Sequence, residues 1–521
     1  MSSPGGRWRV RARFIAVLCV VVTVVTVGAV VGSEGAAQAK RPSASPWAPD
    51  QPDVQHLKFE YGPIAIKPGQ NNITFSHGQV PKPAVDGYIV GIAPNLRKAD
   101  GTVPRVDVIH LHHGVWFNSS AGPDRGSKTF FAAGEEKTIM KLPKGYGYSY
   151  KASDNWIINY MIHDLTPAPF KVWITYDIDF VPATSPATAS ITPARPHWMD
   201  VEDGKLYPVF DVIKGSGTNG TYTYPDQATN PYGGRRPQNV WTVDKDSVLL
   251  GTAGHLHPGG LHDDLWLERA GATGPASSSA VQDRPGTAHL FRSDAHYYEP
   301  AGAVSWDVSM TGTRPDWRVQ VHKGDVLRVN TTYDTKRASW YESMGIMVVW
   351  MADGSTGRDP FTTKVDQPGE LTHGHLPENN HHGGVKTTLP NATKFAPTAA
   401  SQVPITNFLY EIGDMTGKKQ IPEVAAGQTI TFVNNDAPKG NGIWHSITAC
   451  KAPCNKESGV AYPLADSDVH FDSGQLGTGG PPTAGRVTWQ TPADLPAGVY
   501  TYFCRIHPFM RGAFAIEPPT T

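Results

Sequence analysis

The feature that most limits the fold of this chain is its punctuation. Short runs rich in Val, Ile, Thr, Tyr and Trp alternate with Gly, Pro, Asn and Asp, and no long segment keeps a helical period. The 53 glycines and 45 prolines supply turns and interrupt helices before they can extend. The expectation is an all-β protein built of sandwiches. A chain of 521 residues is too long for one core, so roughly two to four domains are expected. Formal charge is −1, with 46 basic and 47 acidic residues mixed throughout, and no nucleic-acid partner is expected.

The N-terminus reads separately. "GRWRVRARF" is basic, residues 15–32 are apolar, and "GAAQAK" ends the stretch with an A-x-A pattern. Residues 1–39 therefore read as a secretory signal peptide cut after Ala39. An uncleaved anchor is the alternative, because the apolar run approaches bilayer-spanning length. Either reading places the bulk of the chain outside the cytoplasm, secreted or at the cell envelope, with membrane contact only if the segment is retained.

Composition marks the remaining boundaries. Residues 40–55 are a Pro/Ser-rich linker. A β-rich region covers 56–190 and ends in the junction "VPATSPATASITPARP". A second covers 191–365, and a polar Gly/Pro-rich linker covers 366–403. Its His373, His375, His381 and His382 read as solvated loop residues. A compact unit of 404–518 closes the chain.

That unit carries the strongest chemical signal. "YTYFCRIHPFMRG" holds Cys504, His507 and Met510 at three-residue spacing: a thiolate, an imidazole and a thioether, the donors redox copper prefers. A second imidazole, His445, follows the β run and polar loop of "ITFVNNDAPKGNGIWHSITAC". Of the four cysteines, Cys19 lies in the leader, and Cys450 and Cys454 are close enough in sequence for a local disulfide. Cys504 is then the odd thiol. One distant His followed by Cys-x2-His-x2-Met resembles the cupredoxins, with a short loop similar to the amicyanin type. The resemblance implies a Greek-key β-sandwich and one blue type 1 copper on His445, Cys504, His507 and Met510.

Upstream, "VPRVDVIHLHHGVWFNSS" places His110, His112 and His113 among apolar residues, and His163 ends the next long β run. "LLGTAGHLHPGGLHDDLWLE" gives His255 and His257 at i, i+2, one face of a strand, and a later strand begins near Met344. This order resembles the copper type II, ascorbate-dependent monooxygenases, the peptidylglycine α-hydroxylating and dopamine β-hydroxylating family, over roughly residues 56–353. "LPKGYGYSY" before His163 and "GDVL…TTY" before Met344 are similar to family segments. The resemblance implies two jelly-roll-like β-sandwich domains, each with a mononuclear type 2 copper. An electron-transfer copper would sit on His112, His113 and His163. A catalytic copper on His255, His257 and Met344 would hydroxylate a C–H bond of a small-molecule substrate with O2. The resemblance implies a soluble reductant such as ascorbate; because this chain adds a one-electron carrier, the C-terminal copper is expected to donate electrons to the upstream pair.

The departures are specific. Ala253, Ile346 and Val348 stand where the peptide-processing members anchor their substrate, so a peptide carboxylate is not expected. His110 remains able to replace one of the His112/His113 pair, and His262 reads as a loop histidine. A multicopper oxidase would need His on either side of its cysteine, whereas Phe503 and Arg505 flank Cys504. A non-enzymatic envelope protein that carries electrons or copper on the same scaffold is the alternative.

Overall fold

The computed structural model describes residues 52–518 apart from 107, 203, 205–206, 273–285, 299–305, 373–389, 416, 438–442, 451–470, 479–484 and 508. Among these the chain forms β-strands and short 3-10 turns and no α-helix. The all-β expectation holds, and the leader and Cys454 lie outside the described residues.

The first sandwich follows the period-2 pattern. Along Phe170–Pro182, Val172, Ile174, Tyr176, Ile178 and Phe180 enter one core. That strand pairs on one side with Gln55–Ile66 and on the other with Gly87–Lys98. The facing sheet runs Ile73–Phe75, Trp156–Asp164, Ile109–Asn118, Thr129–Gly134. Its inner residues Ile109, Leu111, Trp116, Ile158 and Ile162 fill the same core. Its outer face is also buried, which explains why Ile109–Asn118 has almost no exposed position. That outer face carries the histidines.

The junction contains a 3-10 turn, Pro186–Ser190, capped by Ser185. Beyond it the first large sheet simply continues. Thr192–Asp200 pairs in parallel with Tyr146–Tyr150 and antiparallel with Ile346–Asp353, so one ten-stranded sheet serves both sandwiches. A seven-stranded sheet around Val326–Asp334, Gly260–Glu268 and Thr287–Tyr297 closes the second.

The C-terminal sandwich has a five-stranded sheet that includes Gly498–Phe503 and Arg511–Glu517, and a four-stranded sheet that includes Gln402–Thr406 and Thr431–Asn434. It begins ahead of residue 404, because Ala396–Ala399 pairs in parallel with Gln420–Ala425. Glu370–Leu371 likewise adds to Val308–Gly312. Both ends of the expected linker are thus drawn into sheets, and its four histidines lie outside the described residues. Met415, Phe503, Ala513 and Ala515 share an apolar cluster with Trp340 and Phe395, so the last sandwich packs directly on the second.

Candidate metal centres

The hairpin Gly498–Phe503/Arg511–Glu517 is closed by residues 504–510, so Cys504, His507 and Met510 sit on one short connection. Its backbone is cross-tied: Met510 N–H donates to the His507 carbonyl at 2.8 Å, and Cys504 N–H donates to the Met510 carbonyl at 3.1 Å. All three residues are buried, as is His445. His445 Nδ1 and His507 Nδ1 lie 3.8 and 3.7 Å from Cys504 Sγ and 3.3 Å from each other. The centre of that triangle is about 2.1 Å from each donor, the bond length of a small transition metal to imidazole and thiolate (about 2.0–2.3 Å).

Supporting contacts set the ligand atoms. His445 Nε2 donates to Asp436 Oδ2 at 3.0 Å, which leaves Nδ1 for the metal. The N–H groups of Ser446 and His507 point at Cys504 Sγ from 3.3 and 3.4 Å. Burial alone would raise the Cys504 thiol, but His445 and His507 hold it well below the usual range. The site is built for a thiolate. Two imidazoles and a thiolate, with the buried Met510 thioether on the same loop, form the donor set that suits redox copper. Cys450 is disulfide-bonded, and Cys504 is free.

Upstream, the pairing of Ile109–Asn118 with Trp156–Asp164 matches Leu111 to Ile162 and His113 to Met161, skipping His112. Alternation along the strand keeps His110 and His112 on one face, beside His163 of the neighbouring strand. His110 lies cross-strand from His163, ring centroids 5.2 Å apart, and His112 lies 5.8 Å from His163. The structure thus groups His110, His112 and His163. His113 turns aside and donates from Nε2 to Asn159 Oδ1 at 3.2 Å.

The second sandwich brings His255 and His257 against this face, their rings 5.2 Å apart. His257 stacks on His112 with centroids 4.3 Å apart, and Trp306 lies 5.0 Å from His112 and 5.4 Å from His163. Met344 and His257 share the Tyr333 hydroxyl, which accepts both backbone N–H groups, at 3.0 and 3.1 Å. Met344 also lines a neighbouring cavity of about 320 Å3 that His113 and His255 border, with Phe117, Trp198 and Ile346 among its apolar walls. His262 lies on Gly260–Glu268, 3.2 Å from Asp264 Oδ2 and apart from all three groups.

The ring nitrogens are sorted by their neighbours. His110 Nδ1 donates to the Val106 carbonyl at 2.7 Å, His255 Nδ1 to Glu136 Oε2 at 3.0 Å, and His257 Nδ1 to the Glu342 carbonyl at 2.5 Å. Each keeps a buried Nε2 with no hydrogen-bond partner among the described residues. Burial holds His110 near pKa 4 and His113 near 3, and burial with neighbouring imidazoles holds His112, His163 and His257 low. Burial alone would lower His255 too, but Glu136 raises it. The neutral imidazoles of His110, His112, His163 and His257, with buried unpaired nitrogens, fit a metal ion such as copper.

Sequence reasoning missed Glu135, Glu136, Asp436 and Trp306. Only "GEEK", two acids following the buried run Thr129–Gly134, offered a signal.

No family model and no curated protein matches the chain. Among solved structures it is similar to the Cu(I) form of an amicyanin variant, at 22% identity over 25% of this chain and 93% of that one, TM-score 0.14. A second amicyanin variant, reduced at pH 4, gives 23% identity, coverage of 26% and 100%, and TM-score 0.14. A purple cupredoxin from Nitrosopumilus maritimus gives 22% identity, coverage of 22% and 99%, and TM-score 0.15. Likenesses at these scores carry no argument, and the C-terminal site stands on the distances above.

Proposed function

We propose that the protein is an exported copper-dependent oxidoreductase whose C-terminal sandwich, a cupredoxin, delivers electrons to the buried histidine cluster. The observation that carries this is the 6.3 Å between the ring centroids of His507, a C-terminal ligand, and His163, a member of the upstream group. Copper in both places would supply one-electron chemistry.

The chain's own residues fit that use. His507 and His163 meet inside the protein, where water is excluded and donor and acceptor need not diffuse together. Arg505, between two C-terminal ligands, lies over Trp340 and Tyr341 at 4.9 and 5.2 Å and donates to the Ser339 carbonyl, which pins the loop against the second sandwich. The cavity beside His113, His255 and Met344 suits a small organic substrate, and we assign the reaction as O2-dependent hydroxylation of a C–H bond. A soluble reductant such as ascorbate would recharge the C-terminal copper. The cavity favours an enzyme over a plain electron carrier, which needs none.

Stopped-flow reoxidation tests the reading. The copper-loaded chain, reduced and mixed with O2, should reoxidise its blue centre at a rate independent of protein concentration. His163→Ala should slow that step. An unchanged rate would refute transfer through the cluster.

A further inference from the structure

His112 has a second set of neighbours. Glu135 follows the strand Thr129–Gly134, whose last residue lies opposite His113 in the sheet. Gly134 makes the approach possible: a Cβ there would lie 2.5 Å from the His112 carbonyl oxygen and 2.6 Å from His255 Cε1. The chain therefore passes close enough to the histidines for both following acids to turn inward. Glu136 is fully used, accepting from the Gly134 N–H at 2.7 Å and from His255 Nδ1 at 3.0 Å.

Glu135 is not. Its side chain has no exposed surface, and neither carboxylate oxygen is hydrogen-bonded among the described residues. Its nearest cationic candidate is His112 Nδ1, 3.6 Å from Oε2. That is too long for a good hydrogen bond and is the span of two donors held about 2.1 Å from one metal ion. His112 Nδ1 itself has no hydrogen-bond partner among the described residues. From the second sandwich, His257 presents the third donor. The Glu342 carbonyl occupies its Nδ1, Tyr333 Oη accepts from its backbone N–H at 3.1 Å, and its buried Nε2 has no hydrogen-bond partner among the described residues. The donor atoms of His112, Glu135 and His257 all lie within 4.8 Å of one another.

We propose that His112, Glu135 and His257 form a binding site for a divalent first-row transition-metal ion that ties the first sandwich to the second. A buried carboxylate left unpaired is costly, and a cation among these three donors removes the cost. Two imidazoles and a carboxylate suit Zn(II), Fe(II) or Cu(II), whereas Cu(I) prefers sulfur. His112 also belongs to the His110/His112/His163 group, and its Nε2 lies 3.4 Å from the Tyr207 hydroxyl.

The site requires no electron transfer, so Zn(II) tests it apart from the function proposed above. The metal-free full-length chain is dialysed against Zn(II) and the bound metal is counted. Glu135→Gln and His257→Gln should each lose one equivalent, with affinity at that position falling about 100-fold or more. Copper loading of either variant should leave the blue colour of the C-terminal centre intact, which also reports that it folds. A folded variant that keeps the wild-type number and affinity overturns the proposal. Should neither variant fold, a crystal structure of the Zn-loaded wild-type chain decides. Anomalous zinc density between His112, Glu135 and His257 supports the site, and its absence there overturns it.

Discussion

The rings of His163 and His507 lie 6.3 Å apart at an interplanar angle of 72°, one from the first sandwich and one from the last. No other described pair of histidines joins the C-terminal ligands to the upstream group so directly. The contact depends on Gly69, whose φ of +62° favours glycine. A Cβ there would lie 2.1 Å from Phe408 Cε1 and 3.1 Å from His507 Nε2.

Gly69→Ala should therefore push Phe408 and the C-terminal sandwich away from the first. Copper content and blue colour should survive, while intramolecular reoxidation slows. Wild-type kinetics in a folded Gly69→Ala protein would show that the ring contact is not the route.

The copper-loaded, oxidised protein should be blue, because the visible transition requires the Cys504 thiolate. Cys504→Ser should abolish the colour and leave the metal bound upstream. The visible spectrum and metal count together check this.

Asp436 holds His445 through Nε2 and also accepts the N–H groups of Asn407 and Phe408 at 2.8 and 3.0 Å. Asp436→Asn should weaken copper binding at the C-terminal site by about 10- to 100-fold. Competition with a chelator of known affinity measures the loss, and upstream metal binding should not change.

The large cavity is walled by Val115, Phe117, Trp198 and Ile346, and Asp200 is the charged residue on its lining. Ala253, Ile346 and Val348 stand beside His255 in a smaller adjoining pocket, and no Lys or Arg among the described residues lines either pocket. Neutral small molecules should bind, and glycine-extended peptides should not be amidated. Efficient amidation would show that the cavity is misread.

Away from the metal groups, His289 is buried between Asp264 Oδ1 at 2.8 Å and Asp366 Oδ2 at 3.2 Å. Burial alone would lower its pKa, but the two carboxylates raise it to about 9. A raised folded pKa means the contribution is complete below the unfolded value of about 6.5 and is lost as pH rises through about 9. The loss is at most about 3.4 kcal/mol. Denaturant midpoints of wild type should therefore fall between pH 6.5 and 9 relative to His289→Gln, and parallel curves would contradict the assignment.

The local rules were enough for much of this protein. The period-2 runs and frequent glycine and proline dictated an all-β chain, because strand faces and turns depend on neighbours in sequence. The C-terminal donors could be read for the same reason: Cys504, His507 and Met510 lie on one loop, and loop spacing fixes their approach.

Upstream the deciding facts are tertiary. The family resemblance implied the adjacent pair His112/His113, whereas the strand, bulged at His112 against Trp156–Asp164, groups His110 and His112 with His163 and sets His113 against Asn159. His257 stacks on His112, because the packing of two sandwiches, unseen by strand periodicity, sets which side chains face each other. Glu135 becomes a ligand candidate only through burial beside histidines from elsewhere in the chain. Sequence determined which side chains were available, and the docking of three sandwiches decided which of them meet.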